Sequence, residues 1–165
     1  MKKSALIIID VQNYFVKGMV KTLPEKISRF VKNNKENFTT ILTTQFINRK
    51  HSNFCKILNW HNCFKKEETE LHAKIKALCP PSQQFTKSTY SVFKSEKLIH
   101  FLKKNNIKTV YLCGIETDTC ILASAFDGFD KGYTIKVIKE LCGSINKRKS
   151  ENVVTDIIRK NINRM

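Results

Sequence analysis

The chain has 165 residues, 41% of them hydrophobic, and a formal net charge of +16 at pH 7. This length suits a single domain, residues 1–165, and no run reaches the ~18 apolar residues that a bilayer span needs. The apolar run behind the basic N-terminus ends at Asp10, which is too early for a secretory signal, so we expect a cytoplasmic protein without membrane contact.

The positive charge is the strongest bias in the composition, and it raises the question of a nucleic-acid partner. Lys and Arg residues are scattered along predicted helix faces and loops, and no motif of a nucleic-acid-binding module accompanies them. Solvated helix faces explain this pattern better than a specific nucleic-acid site does. The charge would still favour an anionic substrate or loose, salt-sensitive binding of a polyanion.

Short apolar runs alternate with helical patterns along the whole chain. The predicted strands cover residues 5–9, 39–44, 84–86, 108–113 and 133–138, and the last helix is predicted from about residue 149. Continuous apolar strands are typical of a parallel sheet that is buried on both faces. The alternation therefore predicts an α/β fold with three layers, α/β/α, around a mostly parallel, Rossmann-like sheet.

The first strand ends at Asp10, which places a carboxylate where open α/β sheets have their ligand crevice. A turn residue that merely ends the strand is an equally good interpretation of this position. After a loop, Thr22 and Glu25 predict the capped start of the first helix.

The stretch at residues 48–66 is polar, irregular and too long for a simple connection, and such loops often line or cover sites. It carries four side chains of types that bind zinc, namely His51, Cys55, His61 and Cys63. Their spacing matches no common zinc module, so no metal or other cofactor is predicted, although the zinc question stays open. A short helix is predicted at residues 68–78.

Two further reactive residues follow strands. Lys87 ends the third strand, and Cys120 lies in the first turn of the helix behind strand 108–113, where backbone N–H groups favour a thiolate. An inert buried thiol is the alternative for Cys120. Because parallel strand ends meet at one edge of the sheet, Asp10, Lys87 and Cys120 are predicted to converge. The carboxylate can then take the thiol proton, and the ammonium is expected to lower the pKa of the thiol.

Several phrases in the right order resemble the isochorismatase-like cysteine hydrolases, which include the nicotinamidases. They are ALIIIDVQNYF at residues 5–15, KSTYSVF at 87–93, CGIETDTCI at 113–121 and AFDGFDKGY at 125–133. The resemblance covers nearly the whole chain and implies the isochorismatase-like hydrolase fold. It also implies a homo-oligomer, a dimer or larger.

The resemblance implies roles for individual residues. Cys120 would attack the carbon of an amide-type C–N bond in a small molecule, Asp10 would be its general base, and Lys87 would stabilise the thiolate. A cis peptide bond at Ile115–Glu116 would accompany an oxyanion hole made of the backbone N–H groups of Glu116 and Cys120. The intermediate would be a thioester-type acyl-enzyme that water resolves.

The resemblance also sets limits on the activity. Members that hydrolyse isochorismate typically lack the nucleophilic cysteine, and nicotinamidases hold a metal through an Asp-x-His pair. That pair is missing from TTQFINRKH at residues 43–51, where Asn48 stands near its place. Both activities are therefore less expected than another amide hydrolysis. A non-enzymatic or regulatory binding module that uses its basic surface for a polyanion is the alternative from a different class.

Substrate selection would come from side chains around the cleft. The aromatic and amide candidates suggest a small pocket for a planar or acyl amide. These candidates are Gln12, Tyr14, Phe15, Asn48, Trp60, Tyr90 and Phe93.

Overall fold

The computed structural model describes residues 3–146 and 150–162 of the chain. Its five strands form one sheet in the order β3-β2-β1-β4-β5, and every neighbouring pair is parallel. The strands are β1 (Ser4–Ile9), β2 (Thr40–Phe46), β3 (Gln84–Lys87), β4 (Thr109–Ile115) and β5 (Thr134–Gly143). The predicted α/β class with a parallel, Rossmann-like sheet is confirmed.

Helices connect the strands and cover the sheet. The α-helices are α1 (Leu23–Asn34), α2 (Asn53–Lys56), α3 (Lys66–Thr69), α4 (Ala73–Lys76), α5 (Glu96–Lys104), α6 (Leu122–Asp130) and α7 (Ser150–Asn161). Short 3-10 turns lie at Gly18–Val20, Lys35–Asn37, Pro81–Gln83 and Val92–Lys94, and a π-helical turn, Thr117–Ile121, leads into α6. The predicted start of the last helix near residue 149 lies outside the described residues.

The alternating side chains of β1 divide the core into two layers. Ile7 and Ile9 pack on one face with apolar residues of α5, α6 and α7, whereas Leu6 and Ile8 pack on the other with α1 and α4. All four side chains are completely buried. Because successive side chains of a strand point to opposite faces, this alternation yields the predicted three layers with β1 at their centre.

The predicted helix at residues 68–78 is wrong, because the chain there forms two single turns, α3 and α4. Between them Leu71 forms an antiparallel bridge with Gln12, and the His72 N–H donates to the Val11 carbonyl. Because these backbone groups form hydrogen bonds with the segment that follows β1, they cannot also form the hydrogen bonds of a continuous helix. The break between α3 and α4 therefore attaches residues 71–72 to the segment that follows Asp10.

The first helix begins where it was predicted, but its capping is different. Thr22 has helical backbone angles, and its side chain makes no capping hydrogen bond to any described residue. A capping side chain normally sits on extended backbone. Glu25, the expected partner in the cap, instead forms an ion pair with Lys74 of α4.

The helices of residues 3–146 and 150–162 include none that is long and apolar enough to span a membrane.

Candidate active site

The sheet order reverses between β1 and β4, and open α/β sheets bind ligands at such a switch point, beyond the carboxyl ends of the strands. Gly114 makes the close approach of these two strands possible. Its φ is +122°, and a Cβ built there would lie 2.2 Å from the Ile9 carbonyl oxygen. A larger residue would thus force apart the two strands that carry Asp10 and Cys120.

Asp10 lies immediately behind β1 and is completely buried. Its backbone has a φ of 52°, a left-handed conformation that Asp adopts more readily than most residues. Its N–H donates to the Thr44 carbonyl over 3.1 Å, and the Thr44 hydroxyl donates to Oδ1 over 2.8 Å. Thr44 thereby fixes both the backbone and one carboxylate oxygen, leaving Oδ2 turned toward Lys87.

Lys87 is the last residue of β3, and its ammonium is almost completely buried. Nζ lies 2.6 Å from Asp10 Oδ2, donates to the Thr89 carbonyl over 2.8 Å, and lies 3.5 Å from Cys120 Sγ. These three partners match the three protons of an ammonium group. Burial acts to lower the pKa of Lys87, but the charges of Asp10 and Cys120 outweigh it and raise the pKa.

Cys120 lies in the π-helical turn at the start of α6 and is 9% exposed. Burial raises the pKa of its thiol to about 12, the Lys87 charge acts against that rise, and the Asp10 charge adds to it. The expectation of a lowered thiol pKa is therefore wrong for the ligand-free protein. Burial, with a smaller contribution from Asp10, outweighs the ammonium that would have held a thiolate, so the resting Cys120 is a thiol. Asp10, Lys87 and Cys120 are called the reactive cluster below.

The backbone between β4 and Cys120 changes direction at the Ile115–Glu116 bond, which is cis, as the resemblance implies. The Ile121 N–H donates to the Glu116 carbonyl over 3.1 Å, five residues back. The Glu116 carboxylate accepts from the Ile145 N–H over 3.3 Å. Glu116 and Cys120 both line the adjoining cavity.

A cavity of about 510 Å³ opens above Cys120. Six of its lining residues are aromatic and are called the aromatic wall: Tyr14, Phe15, Phe46, Phe54, Trp60 and Tyr90. The rings of Phe15 and Trp60 are nearly parallel, with 9° between their planes and 6.3 Å between their centroids. The other lining residues are Lys17, Leu58, Ile115, Glu116, Thr119, Cys120, Ile145 and Asn146.

Of the predicted substrate residues, Phe15, Trp60 and Tyr90 line the cavity, together with Tyr14. Gln12 and Asn48 do not belong to the lining of the described part. The Gln12 amide exchanges hydrogen bonds of 2.8 and 3.0 Å with the Phe46 backbone, so it holds a wall residue from behind.

Asn48, like Gln12, uses its side-chain amide to hold other residues in place, here within the loop at residues 48–66. Its side-chain N–H groups reach the carbonyls of Trp60 and Asn62, and its oxygen accepts from the Ser52 hydroxyl over 2.7 Å. Phe93 is buried in the core, where its ring stacks on Tyr133. Asn48 therefore fixes the loop that carries Trp60, and Phe93 supports the helices beneath.

The four potential zinc ligands of the same loop are separated by the fold. Cys63 is buried beside the Gln12 amide, whereas the exposed His61 ring pairs with Asn59 and Cys55 packs near Ser52. Within residues 3–146 and 150–162, no group of three or more His, Cys, Asp or Glu side chains is arranged to hold a metal ion.

Sequence reasoning missed several supporting residues. Ser124, four residues behind Cys120, donates to the Cys120 carbonyl over 2.6 Å and accepts from the Val92 N–H. It thereby joins the segment that follows Lys87 to the turn that carries Cys120. A hydroxyl at this helical spacing is the only signal that could have pointed to it. Phe46 and Phe54 were missed because strand β2 is longer than predicted and α2 is a single turn.

Comparison with known proteins agrees with this architecture. The model of the isochorismatase domain family matches residues 4–162. The uncharacterized isochorismatase family protein PncA of Bacillus subtilis is 27% identical over 88% of both chains. Isochorismatase domain-containing protein 2 of Xenopus laevis is 34% identical over 38% of this chain and 30% of its own. The crystal structure of nicotinamidase PncA from Bacillus subtilis superposes with a TM-score of 0.84 at 22% identity, covering 98% of this chain and 97% of that one. The chain therefore belongs to the isochorismatase family of hydrolases.

Proposed function

We propose that the protein hydrolyses an amide-type C–N bond of a small molecule, with Cys120 as nucleophile. The observation that carries the proposal is the reactive cluster itself. The Cys120 thiol lies 3.5 Å from the Lys87 ammonium, and that ammonium lies 2.6 Å from the buried Asp10 carboxylate. Cys120 also borders a cavity large enough for a small molecule. The structurally similar nicotinamidase of Bacillus subtilis is by its name an amide hydrolase, which supports the same bond class here.

In the first step, Sγ of Cys120 attacks the amide carbon while its proton moves to Asp10. Asp10 and Cys120 both lie beside the Lys87 ammonium, at 2.6 and 3.5 Å from its Nζ, which supports Asp10 as the acceptor of the thiol proton. The Lys87 ammonium then faces the sulfur as the proton leaves. The N–H groups of Glu116 and Cys120 are the proposed donors to the oxyanion, and one such donor contributes about 3 kcal/mol.

In the second step, the tetrahedral intermediate collapses and the C–N bond breaks. The nitrogen takes the proton from Asp10 and leaves as ammonia or an amine, so that a thioester remains on Cys120. Asp10, again a carboxylate, accepts a proton from water as the water oxygen attacks the thioester carbon. The C–S bond breaks, the sulfur regains the proton, and a carboxylic acid leaves.

The aromatic wall supports a planar substrate. Parallel rings at Phe15 and Trp60, with Tyr90 at the opening, offer faces on which a flat group stacks. Phe15, Trp60 and Tyr90 are therefore the proposed substrate contacts. Gln12 and Asn48 act through the wall residues they hold.

The proposal is tested by incubating the protein with a panel of small amides and measuring released ammonia, with rapid acid quenching for mass spectrometry. We expect turnover for at least one planar amide and an acyl adduct on the peptide that contains Cys120. Cys120→Ala should abolish both. Cys79→Ala, which removes a buried thiol outside the site, should preserve both.

Turnover that survives in Cys120→Ala would contradict the proposal. Absence of any turnover, together with a salt-sensitive shift of nucleic acid in a gel, would instead support a polyanion-binding module. The homo-oligomer stays a prediction, which sedimentation equilibrium at several protein concentrations measures.

A further inference from the structure

The lining of the cavity contains one cationic side chain in the described part of the chain, that of Lys17. Its Nζ lies 3.9 Å from the centroid of the Tyr14 ring, which itself belongs to the aromatic wall. A cation above an aromatic face is attracted by the ring, so the flexible side chain is kept at the cavity. Lys17 is exposed and therefore lies at the cavity mouth.

The backbone beside Lys17 is tightly fixed. Gly18 has a φ of +56°, and a Cβ built there would lie 2.4 Å from the Ile145 carbonyl oxygen. Met19 donates from its N–H to that same oxygen over 3.0 Å. The segment that carries Lys17 is thus held against Ile145, another lining residue, which fixes the backbone from which the Lys17 side chain reaches the cavity.

No ion pair neutralises the charge of Lys17 within the described part of the chain. The ion pairs among residues 3–146 and 150–162 do not include it. The acidic residue of the described lining is Glu116, and its carboxylate accepts a hydrogen bond from the Ile145 N–H. An anion entering the cavity would therefore find an ammonium that forms no ion pair with a carboxylate of the described residues.

A series of ring contacts in the cavity wall connects Lys17 to the reactive cluster. Lys87 Nζ is 5.2 Å from the centroid of Phe46, whose ring is 5.7 Å from that of Trp60. Trp60 is in turn 5.7 Å from Tyr14, the ring beneath Lys17. A molecule in this cavity would therefore border the buried Cys120 thiol, the aromatic wall and the exposed Lys17 ammonium.

We propose that Lys17 forms an anion subsite, and that the substrates are planar amides with a carboxylate at the end remote from the reacting amide. This inference rests on the proposed amide hydrolysis. The ammonium attracts the carboxylate, the rings stack on the planar body, and the amide carbon reaches Cys120. Because Lys17 takes no part in the chemistry, it acts on binding.

Trp60 provides a direct measurement of binding that needs no turnover. It is the only tryptophan of the sequence and it lines the cavity, so its fluorescence reports on a ligand there. The probes are benzamide and 3-carbamoylbenzoate, which differ by one carboxylate, titrated into the Cys120→Ala variant at low ionic strength. We expect 3-carbamoylbenzoate to bind about fivefold more tightly, and the difference to shrink as salt screens the charge.

The lysine is tested by comparing Lys17→Met with Lys21→Met in the same Cys120→Ala background. Both variants lose one positive charge from neighbouring positions, but Lys21 does not belong to the cavity lining of the described residues. Lys17→Met should equalise the two affinities, whereas Lys21→Met should keep the fivefold difference. Equal affinities in the parent protein, a preference that survives Lys17→Met, or no fluorescence change with either probe would overturn the inference.

Turnover by the Cys120-containing protein separates this inference from the function on which it rests. Hydrolysis of both probes with equal kcat/KM would leave amide hydrolysis intact and overturn the anion subsite. Tighter binding of 3-carbamoylbenzoate without hydrolysis of any amide would support the subsite and contradict the proposed function.

Discussion

The reactive cluster and the aromatic wall border the same cavity but are built in opposite ways. The cluster comes from strand ends, is buried, and has its charges paired within 2.6 Å. Apart from Phe46 at the end of β2, the wall comes from loops and short turns, and Tyr90 within it is 40% exposed. The proposed reaction chemistry thus lies on the sheet, and the proposed substrate contacts lie mainly on loops, which vary more easily. Changes in the cluster should therefore affect stability and rate, and changes in the wall should affect affinity.

The largest effect is expected from Lys87→Met, because it leaves Asp10 buried without its cation. Breaking a buried ion pair by removing one partner costs about 3–5 kcal/mol in the free energy of unfolding. Urea denaturation followed by circular dichroism measures this loss. The double variant Asp10→Asn/Lys87→Met removes both charges and should recover most of the stability without recovering activity. If the double variant were as unstable as Lys87→Met, the ion pair would not be the cause.

Asp10→Asn should separate turnover from thiol reactivity. The amide oxygen can still accept from the Thr44 hydroxyl, so the geometry is kept, but the general base is gone. We expect kcat to fall by about 10²–10⁴-fold. Alkylation of Cys120 by iodoacetamide at pH 7 should become faster, because the carboxylate no longer raises the pKa of the thiol and Lys87 faces the sulfur alone.

Peptide mass mapping identifies the alkylated cysteine, and Cys63, a buried thiol outside the cluster, serves as the internal control. A parallel fall in turnover and in alkylation would mean that Asp10 activates the resting thiol, contrary to the arrangement proposed above.

The pH dependence of alkylation in the unaltered protein tests the raised pKa directly. Since burial raises the pKa of Cys120 to about 12, the thiolate fraction rises about tenfold for each pH unit between pH 6 and 9. The rate for Cys120 should follow this rise without reaching a plateau. A plateau below pH 8 would show that a thiolate is already formed in the free enzyme.

The cluster and the wall also differ in how far they could be predicted. Predicted strands end at Asp10 and Lys87, and the hydrophobic pattern changes from strand to helix periodicity just before Cys120. The topology of a parallel sheet alone then places these three residues at one edge. The topology does not, however, predict how burial and the two neighbouring charges together set the pKa of the Cys120 thiol. Whether Lys87 lowers the thiol pKa overall depends first on how deeply Cys120 is buried and then on the neighbouring Asp10 charge, and both follow from three-dimensional packing.

The wall was predicted less completely, since loop residues carry no periodic signal. Phe15, Trp60 and Tyr90 were identified by their aromatic character, but Gln12 and Asn48 look the same in sequence whether they touch substrate or the backbone behind it. Their hydrogen bonds depend on long-range pairing, such as that of Gln12 with Phe46, 34 positions away. The bridge between Leu71 and Gln12, which breaks the predicted helix into two turns, is also a long-range pairing that the local sequence pattern does not reveal.

The smallest effect is expected from the wall, where Trp60→Leu keeps an apolar side chain but removes a ring face. Stacking of a flat substrate on an aromatic side chain contributes about 0.5–1.5 kcal/mol to the binding free energy beyond that of area burial. KM should therefore rise about three- to tenfold. Because Trp60 does not touch the reactive cluster, kcat should change less than about twofold. Phe64→Leu is the matched control, since this aromatic residue lies in the same loop and does not belong to the described cavity lining. A fall in kcat as large as the rise in KM would mean that the wall also orients the amide toward Cys120, and the separation between chemistry and selection would then be incomplete.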